Sequence, residues 1–169
     1  MQPLSFYLPT QIFFEPNCIK QHPEVFQLGK KALLVTGRNS AKNNGSQADD
    51  CAALKAQQVA YAIFDQVPSN PDIRTVYQGA AIARQEQADF IIAIGGGSPM
   101  DAAKAIALLA CQDIPASELF NGPYGAQSLP LIHIPTTAGT GSEVTPYSIL
   151  SNEQAQTKST IATPLNFPR

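Results

Sequence analysis

Gly95-Gly96-Gly97-Ser98 is the stretch of this chain best equipped for chemistry. It follows an apolar run, Ile91-Ile92-Ala93-Ile94, and leads into Pro99-Met100-Asp101-Ala102-Ala103-Lys104-Ala105, which has helical spacing. Glycine tolerates positive φ and lets a bulky anion approach the main chain. A helix N-terminus adds unpaired N–H groups and roughly half a positive charge. A strand, a glycine turn and a helix in that order can therefore hold a phosphate. Ser98 suits an N-cap, Pro99 suits the first helical position, and Asp101 stands at capping-box spacing from Ser98. A tight strand-to-helix turn explains the glycines equally well, so other stretches must decide.

Two of them do. Thr136-Thr137-Ala138-Gly139-Thr140-Gly141-Ser142 follows the apolar run Leu131-Ile132-His133-Ile134. Its hydroxyls donate and accept, which suits a ribose, an amide or a pyrophosphate; a turn capping a short helix is the structural alternative. Gly37-Arg38-Asn39-Ser40-Ala41-Lys42 follows Ala32–Thr36. Dinucleotide-binding sheets place an acid near such a position to accept from the adenosine ribose 2′-OH. Here Gly37 stands instead, and no acid follows until Asp49. Arg38, Ser40 and Lys42 could pair with a 2′-phosphate, which favours NADP over NAD. Alternatively they are solvated loop groups. His133, inside an apolar strand, reads as a satisfied core histidine, and His22 is isolated. Neither a metal-ligand spacing nor a nucleophile–base pattern appears. No metal ligand and no catalytic residue is assigned.

The elements that position these loops follow from periodicity. Two aromatic runs around Pro9-Thr10-Gln11 predict a hairpin over residues 4–15. A helix is expected over 18–28, ended by Gly29. Short apolar runs predict buried strands at 32–36, 60–64, 90–94 and 131–134. Helical spacing predicts helices at about 48–58, 73–87 and 99–111, with Ser69, Asn70 or Asp72 capping the second. Residues 146–150 read as extended, and the pattern beyond Ser151 is weak. This alternation gives an α/β fold: a parallel sheet with helices on both faces. Ligands bind beyond the carboxyl ends of such strands, where all three polar loops should converge.

Composition narrows the partners. The 169 residues can form one domain with a substantial core. A net charge of −2 supplies no basic stripe for nucleic acid. No apolar run is long enough to span a membrane, and the first residues do not resemble a secretory leader. Cys18, Cys51 and Cys111, odd in number and widely spaced, read as reduced thiols of a cytoplasmic protein. Charged residues make up only 14%, which fits a domain that buries a face against another.

Gly95-Gly96-Gly97-Ser98-Pro99-Met100-Asp101-Ala102-Ala103-Lys104-Ala105 and Ile134-Pro135-Thr136-Thr137-Ala138-Gly139-Thr140-Gly141-Ser142-Glu143-Val144-Thr145-Pro146 resemble the paired signatures of the iron-containing alcohol dehydrogenases. Thr36-Gly37-Arg38-Asn39-Ser40 and Asn70-Pro71 resemble that family as well. The resemblance implies that residues 1–169 form its N-terminal dinucleotide-binding domain. That domain is Rossmann-like, with an N-terminal β-hairpin, as in dehydroquinate synthases. It implies cofactor contacts from Asn70, Gly96, Gly97, Ser98, Thr136, Thr137, Thr140, Ile149 and Lys158; Gly95 and Asp101, from the glycine turn and the helix it opens, complete the candidate cofactor-binding set. Gly97 and Ser98 would sit on the pyrophosphate, the threonines on the adenosine and ribose side, and Ile149 and Lys158 toward the nicotinamide. Where NAD-preferring members carry Asp, this sequence has Gly37. Iron, or zinc, belongs to a helical C-terminal domain that is absent from this chain, so the chain is expected to be a fragment. The complete protein is expected to be a homodimer or higher oligomer that acts on a primary alcohol, a diol or an aldehyde. A nucleotide-binding module without catalysis, or a glycerol-dehydrogenase-like polyol oxidoreductase, are the alternatives.

Overall fold

The computed structural model describes residues 7–169 except Gln154. Four parallel strands form its sheet: β1 (Lys31–Gly37), β2 (Ala60–Val67), β3 (Phe90–Gly95) and β4 (Leu131–Pro135), in the spatial order β2-β1-β3-β4. The central strands are continuous apolar runs because both faces are covered, so no polar alternation is needed. Leu33, Val35, Ile91 and Ala93 point to one face, where they meet α4 (Ile73–Gln85) and α5 (Gly97–Cys111). Ala32, Leu34, Phe90, Ile92 and Ile94 point to the other. There Leu54 of α3 (Ser46–Ala56) and Phe26 of a short 3-10 helix (Pro23–Phe26) close the second core. Small residues let α4 and α5 approach closely. A Cβ on Gly79 would lie 2.4 Å from Ile106 Cδ1.

The strand ends are level. Thr36 pairs with Ile94, and Gly95 pairs with Pro135. The loops after β1, β3 and β4 therefore leave the same edge of the sheet, as the alternation predicts.

Local capping is partly as expected. Asp72 caps α4, its carboxylate accepting from the Thr75 N–H at 2.7 Å. At α5 the expectation fails. Gly96 occupies the cap position and the helix begins at Gly97, so Ser98 and Pro99 lie in its first turn. Pro99 is tolerated there because that turn's N–H groups have no intrahelical acceptor. Asp101 makes no capping box; its carboxylate is taken by Ser142.

Other elements depart from expectation too. Of the N-terminal hairpin, residues 1–6 lie outside the described residues, and residues 7–14 carry no strand. Phe14 is 99% exposed, so this aromatic run lacks the covered face that an isolated hairpin needs. The predicted helix over 18–28 is instead α1 (Cys18–Gln21) followed by the 3-10 turn. Gly29 ends no helix. It lies against Asp89, whose Cβ would be 2.3 Å from an added side chain. That carboxylate accepts from the N–H groups of Lys30 and Lys31. A real hairpin forms where the pattern is weak, from β5 (Tyr147–Asn152) and β6 (Thr157–Ala162), antiparallel. Its inward residues include Ser148 and Leu150, while Tyr147 and Ile149 face out. The alternation is thus mixed: Leu150 and Ile161 are buried as apolar residues should be, but Ser148 is buried while Tyr147 and Ile149 are exposed. No helix among the described residues is long and apolar enough to cross a membrane.

Candidate functional site

The glycine turn and the hydroxyl loop are packed on one another. The Gly95 carbonyl accepts from the Thr136 N–H at 2.8 Å. Gly95 has φ +145, and a Cβ there would lie 2.7 Å from Pro99 Cγ. A Cβ on Gly96 would lie 2.8 Å from Thr137 Oγ1, and one on Gly97 would lie 3.3 Å from Thr140 Cγ2. The missing side chains therefore admit the threonine loop and keep the first turn of α5 accessible. This turn meets the requirement for an anion cradle: free N–H groups at a helix start with hydroxyls alongside.

A cleft of about 320 Å³ opens beside that turn. It brings together Asn70, Gly97, Ser98, Asp101, Thr140, Ile149 and Lys158, all singled out in the sequence. Thr136 and Thr137 stand next to it, against Gly95 and Gly96. A larger hollow of about 590 Å³, lined by Ile73, Tyr77 and Ala81 among others, shares Ser151 with the cleft but none of the predicted residues.

Two polar systems set the shape of the cleft. In the first, Lys158 Nζ donates to Asn70 Oδ1 at 2.8 Å, and the Asn70 N–H donates to Ser98 Oγ at 3.2 Å. Asn70 has φ 57, a left-handed conformation that Asn adopts more readily than most residues. In the second, the fully buried Lys104 spends its donors on Ser142 O (2.7 Å), Ser142 Oγ (2.9 Å) and Tyr147 O (2.8 Å). Ser142 Oγ passes a hydrogen bond on to Asp101 Oδ1 at 2.6 Å, and Ser148 Oγ donates to the Asp101 carbonyl at 2.6 Å. Burial pushes the Lys104 ammonium down to about 8, against the attraction of Asp101 and Glu143. Burial raises the Asp101 carboxyl, opposed by the Ser142 hydroxyl, Lys104, the Ile149 main chain and Lys158.

The basic loop stands at the end of β1, outside the residues that line the cleft. Gly37 ends the strand, and Ser40 opens α2 (Ser40–Asn43). Lys42 forms an ion pair with Asp65 of β2, so it is engaged. Arg38 is exposed and has no hydrogen bond or ion pair among the described residues. Of the two cations in this loop, Arg38 is the one left available.

His133 is not the satisfied core histidine expected. Both ring nitrogens are buried without a hydrogen-bond partner. Burial, reinforced by the Lys104 charge and only partly opposed by the nearby Ser142 main chain, holds its pKa well below the usual histidine range. Among the described residues no three His, Cys, Asp or Glu side chains gather to hold a metal, so no metal step is assigned to residues of this chain. Sequence reasoning missed Lys104 and Ser148 and gave Ser142 no role. One signal was present: a lone cation inside Ala102-Ala103-Lys104-Ala105-Ile106 cannot face water if its helix is buried.

Together these features define an α/β domain, covered on both faces, with a cleft at the carboxyl edge of its sheet. Residues 9–169 match the family described as iron-containing alcohol dehydrogenase, and the chain belongs to that family. It is 37% identical to the 1,3-propanediol dehydrogenase of Klebsiella pneumoniae over 97% of its own length and 43% of the relative's. It is 33% identical to the probable NADH-dependent butanol dehydrogenase 2 of Bacillus subtilis (strain 168), covering 100% of this chain and 44% of that protein. The NADPH-dependent butanol dehydrogenase of Clostridium saccharobutylicum is 32% identical, over 94% and 42%. Among solved structures, an iron-containing alcohol dehydrogenase superposes with a TM-score of 0.90 at 41% identity, over 99% of this chain and 46% of that one. Sulfoacetaldehyde reductase from Bifidobacterium kashiwanohense in complex with NAD+ superposes with a TM-score of 0.87 at 28% identity, over 99% and 45%. The chain thus spans less than half the length of the relatives it matches.

Proposed function

We propose that residues 9–169 bind the dinucleotide of a metal-dependent alcohol dehydrogenase. The complete protein would move hydride between NADP(H) and a primary alcohol or diol and its aldehyde. One observation carries the reading: the N-terminus of α5, Thr140 and the Asn70–Lys158 pair share a single cleft. The N–H groups of Gly97 and Ser98 would hold the pyrophosphate. Thr136, Thr137 and Thr140 would accompany the adenosine and ribose side. Ile149, 42% exposed, would lie under the nicotinamide half, with Lys158 beside it. Asp101 is the last of the predicted residues in the cleft, and its carboxylate would orient neighbouring donors through Ser142.

NADP is favoured over NAD because Gly37 leaves no carboxylate to repel a 2′-phosphate and Arg38 is free to pair with one. The named relatives include both NADH- and NADPH-dependent enzymes, so this preference rests on Gly37 and Arg38 alone. A family iron would supply Lewis-acid polarisation of the alcohol oxygen; its ligands are not among the described residues. The chain's own task is to hold and orient the hydride carrier.

Calorimetric titration of the chain with NADPH and NADH tests both levels. NADPH is expected to bind, and to bind more tightly than NADH. Absence of binding by either would remove the dinucleotide reading. Tighter NADH binding would remove the NADP preference alone.

A further inference from the structure

Lys104 is the one charged side chain in the buried span Ala102–Leu109 of α5, and it is not among the residues that line the cleft. A buried ammonium is costly unless every donor is satisfied. Here all three are, and none goes to a residue of its own helix. Two acceptors belong to Ser142, the end of the threonine loop. The third is the carbonyl of Tyr147, the first residue of β5. Both segments line the cleft, the first through Thr140 and Ser142 and the second through Tyr147 and Ile149. The Ser142 hydroxyl is fixed in direction as well, accepting from Lys104 and donating to Asp101.

From this geometry we infer that Lys104 is a positioning residue for the cofactor cleft. It bolts the loop after β4 and the start of β5 to the same point of α5, and so sets the spacing between the two walls. The inference rests on the dinucleotide reading above. It adds a residue that touches no ligand yet determines whether the nicotinamide half finds both walls in place. Lys104 makes no hydrogen bond to the glycine turn itself, whose own contacts are with Thr136, Thr137, Thr140 and Pro99.

The test pairs NADPH titration with amide hydrogen exchange on the unmodified chain, Lys104→Met and Ser142→Ala. Met replaces the unbranched stem with one of nearly the same length, lacking only the terminal ammonium and its donors. For Lys104→Met the expected result is a loss of NADPH affinity of about tenfold or more, the scale of one lost charged hydrogen bond. Exchange should accelerate at Thr137–Ser142 and Tyr147–Ile149, with protection of Ile91–Ile94 unchanged. Ser142→Ala keeps two of the three Lys104 bonds and should show the same pattern more weakly. The inference is overturned if a folded Lys104→Met chain keeps its NADPH affinity. It is equally overturned if protection falls across β3 as much as in the two walls, since Lys104 would then serve general stability. Should Lys104→Met fail to fold, Ser142→Ala decides: unchanged affinity and exchange overturn the inference, and reduced affinity with loosening confined to the two walls supports it. If the unmodified chain binds neither NADPH nor NADH, the dinucleotide reading fails. The exchange data then still show whether Lys104 holds the two walls.

Discussion

Lys158 and Asn70, 88 positions apart, are joined at 2.8 Å by a hydrogen bond from Nζ to Oδ1. The bond ties the β5–β6 hairpin to the turn before α4, and both residues line the cleft. Asn70 carries two requirements there, a left-handed backbone and a side-chain acceptor. Substitution separates them. Asn70→Gly keeps the backbone and loses the acceptor, so NADPH affinity should fall while the thermal midpoint changes little. Asn70→Ala loses both, and should cost about 1 kcal/mol more in chemical denaturation than Asn70→Gly.

Arg38 gives a charge test of cofactor choice. Arg38→Glu places a carboxylate where a 2′-phosphate would sit, and should weaken NADPH more than NADH in parallel titrations. Equal losses would remove the 2′-phosphate role. Because Lys42 is paired with Asp65, Lys42→Ala should leave the ratio of the two affinities nearly unchanged.

The glycine turn should be intolerant of any side chain. Gly96→Ala brings a methyl within 2.8 Å of Thr137 Oγ1, and Gly97→Val forces Thr140 outward. Both variants should fold, since the strain is confined to the loop, and both should lose measurable NADPH binding. Full affinity in a folded Gly97→Val chain would show that the glycines serve the turn only.

Asp50 sets a pH dependence of stability. Its carboxylate oxygens are buried on α3 without partners, and burial, aided by Asp49, pushes the carboxyl up to about 8. From about pH 4 to about pH 8 the unfolded chain has released this proton and the folded chain still holds it. Stability should therefore fall as pH rises across that window, by at most about 1.4 kcal/mol per pH unit from this group. Asp50→Asn removes the term. Thermal unfolding should show Asp50→Asn gaining over the parent chain at pH 7.5 and not at pH 4.

The sheet was readable because its strands are unbroken apolar runs of strand length, and runs such as Phe90–Ile94 have few other readings. The loops at Gly95 and Thr136 were readable because parallel topology sends them to one edge. The β5–β6 hairpin was not, because its inward residues include Ser148 and its outward ones Tyr147 and Ile149. Burial there is set by hydrogen bonds to α5 as much as by apolar contact. The Lys104–Ser142–Asp101 system was hidden for a similar reason. Its members are 38 and 41 positions apart, and no local spacing announces a long-range polar contact. The aromatic run at Ile12-Phe13-Phe14 misled in the opposite direction, since strand-like composition formed no strand.

The strand order also governs how the chain can fold. β1 lies inside the sheet, with Ala32 beside Tyr61 on one side and Phe90 on the other. During synthesis Ala32–Val35 would emerge well before either neighbour exists, with both edges open. It gains a partner when β2 appears and becomes fully enclosed only once β3 has been made. Such non-local parallel pairing slows folding and leaves apolar edges exposed meanwhile. The nascent chain is therefore most vulnerable to aggregation before Ile94 emerges, and arresting synthesis on either side of that residue would reveal when the core closes.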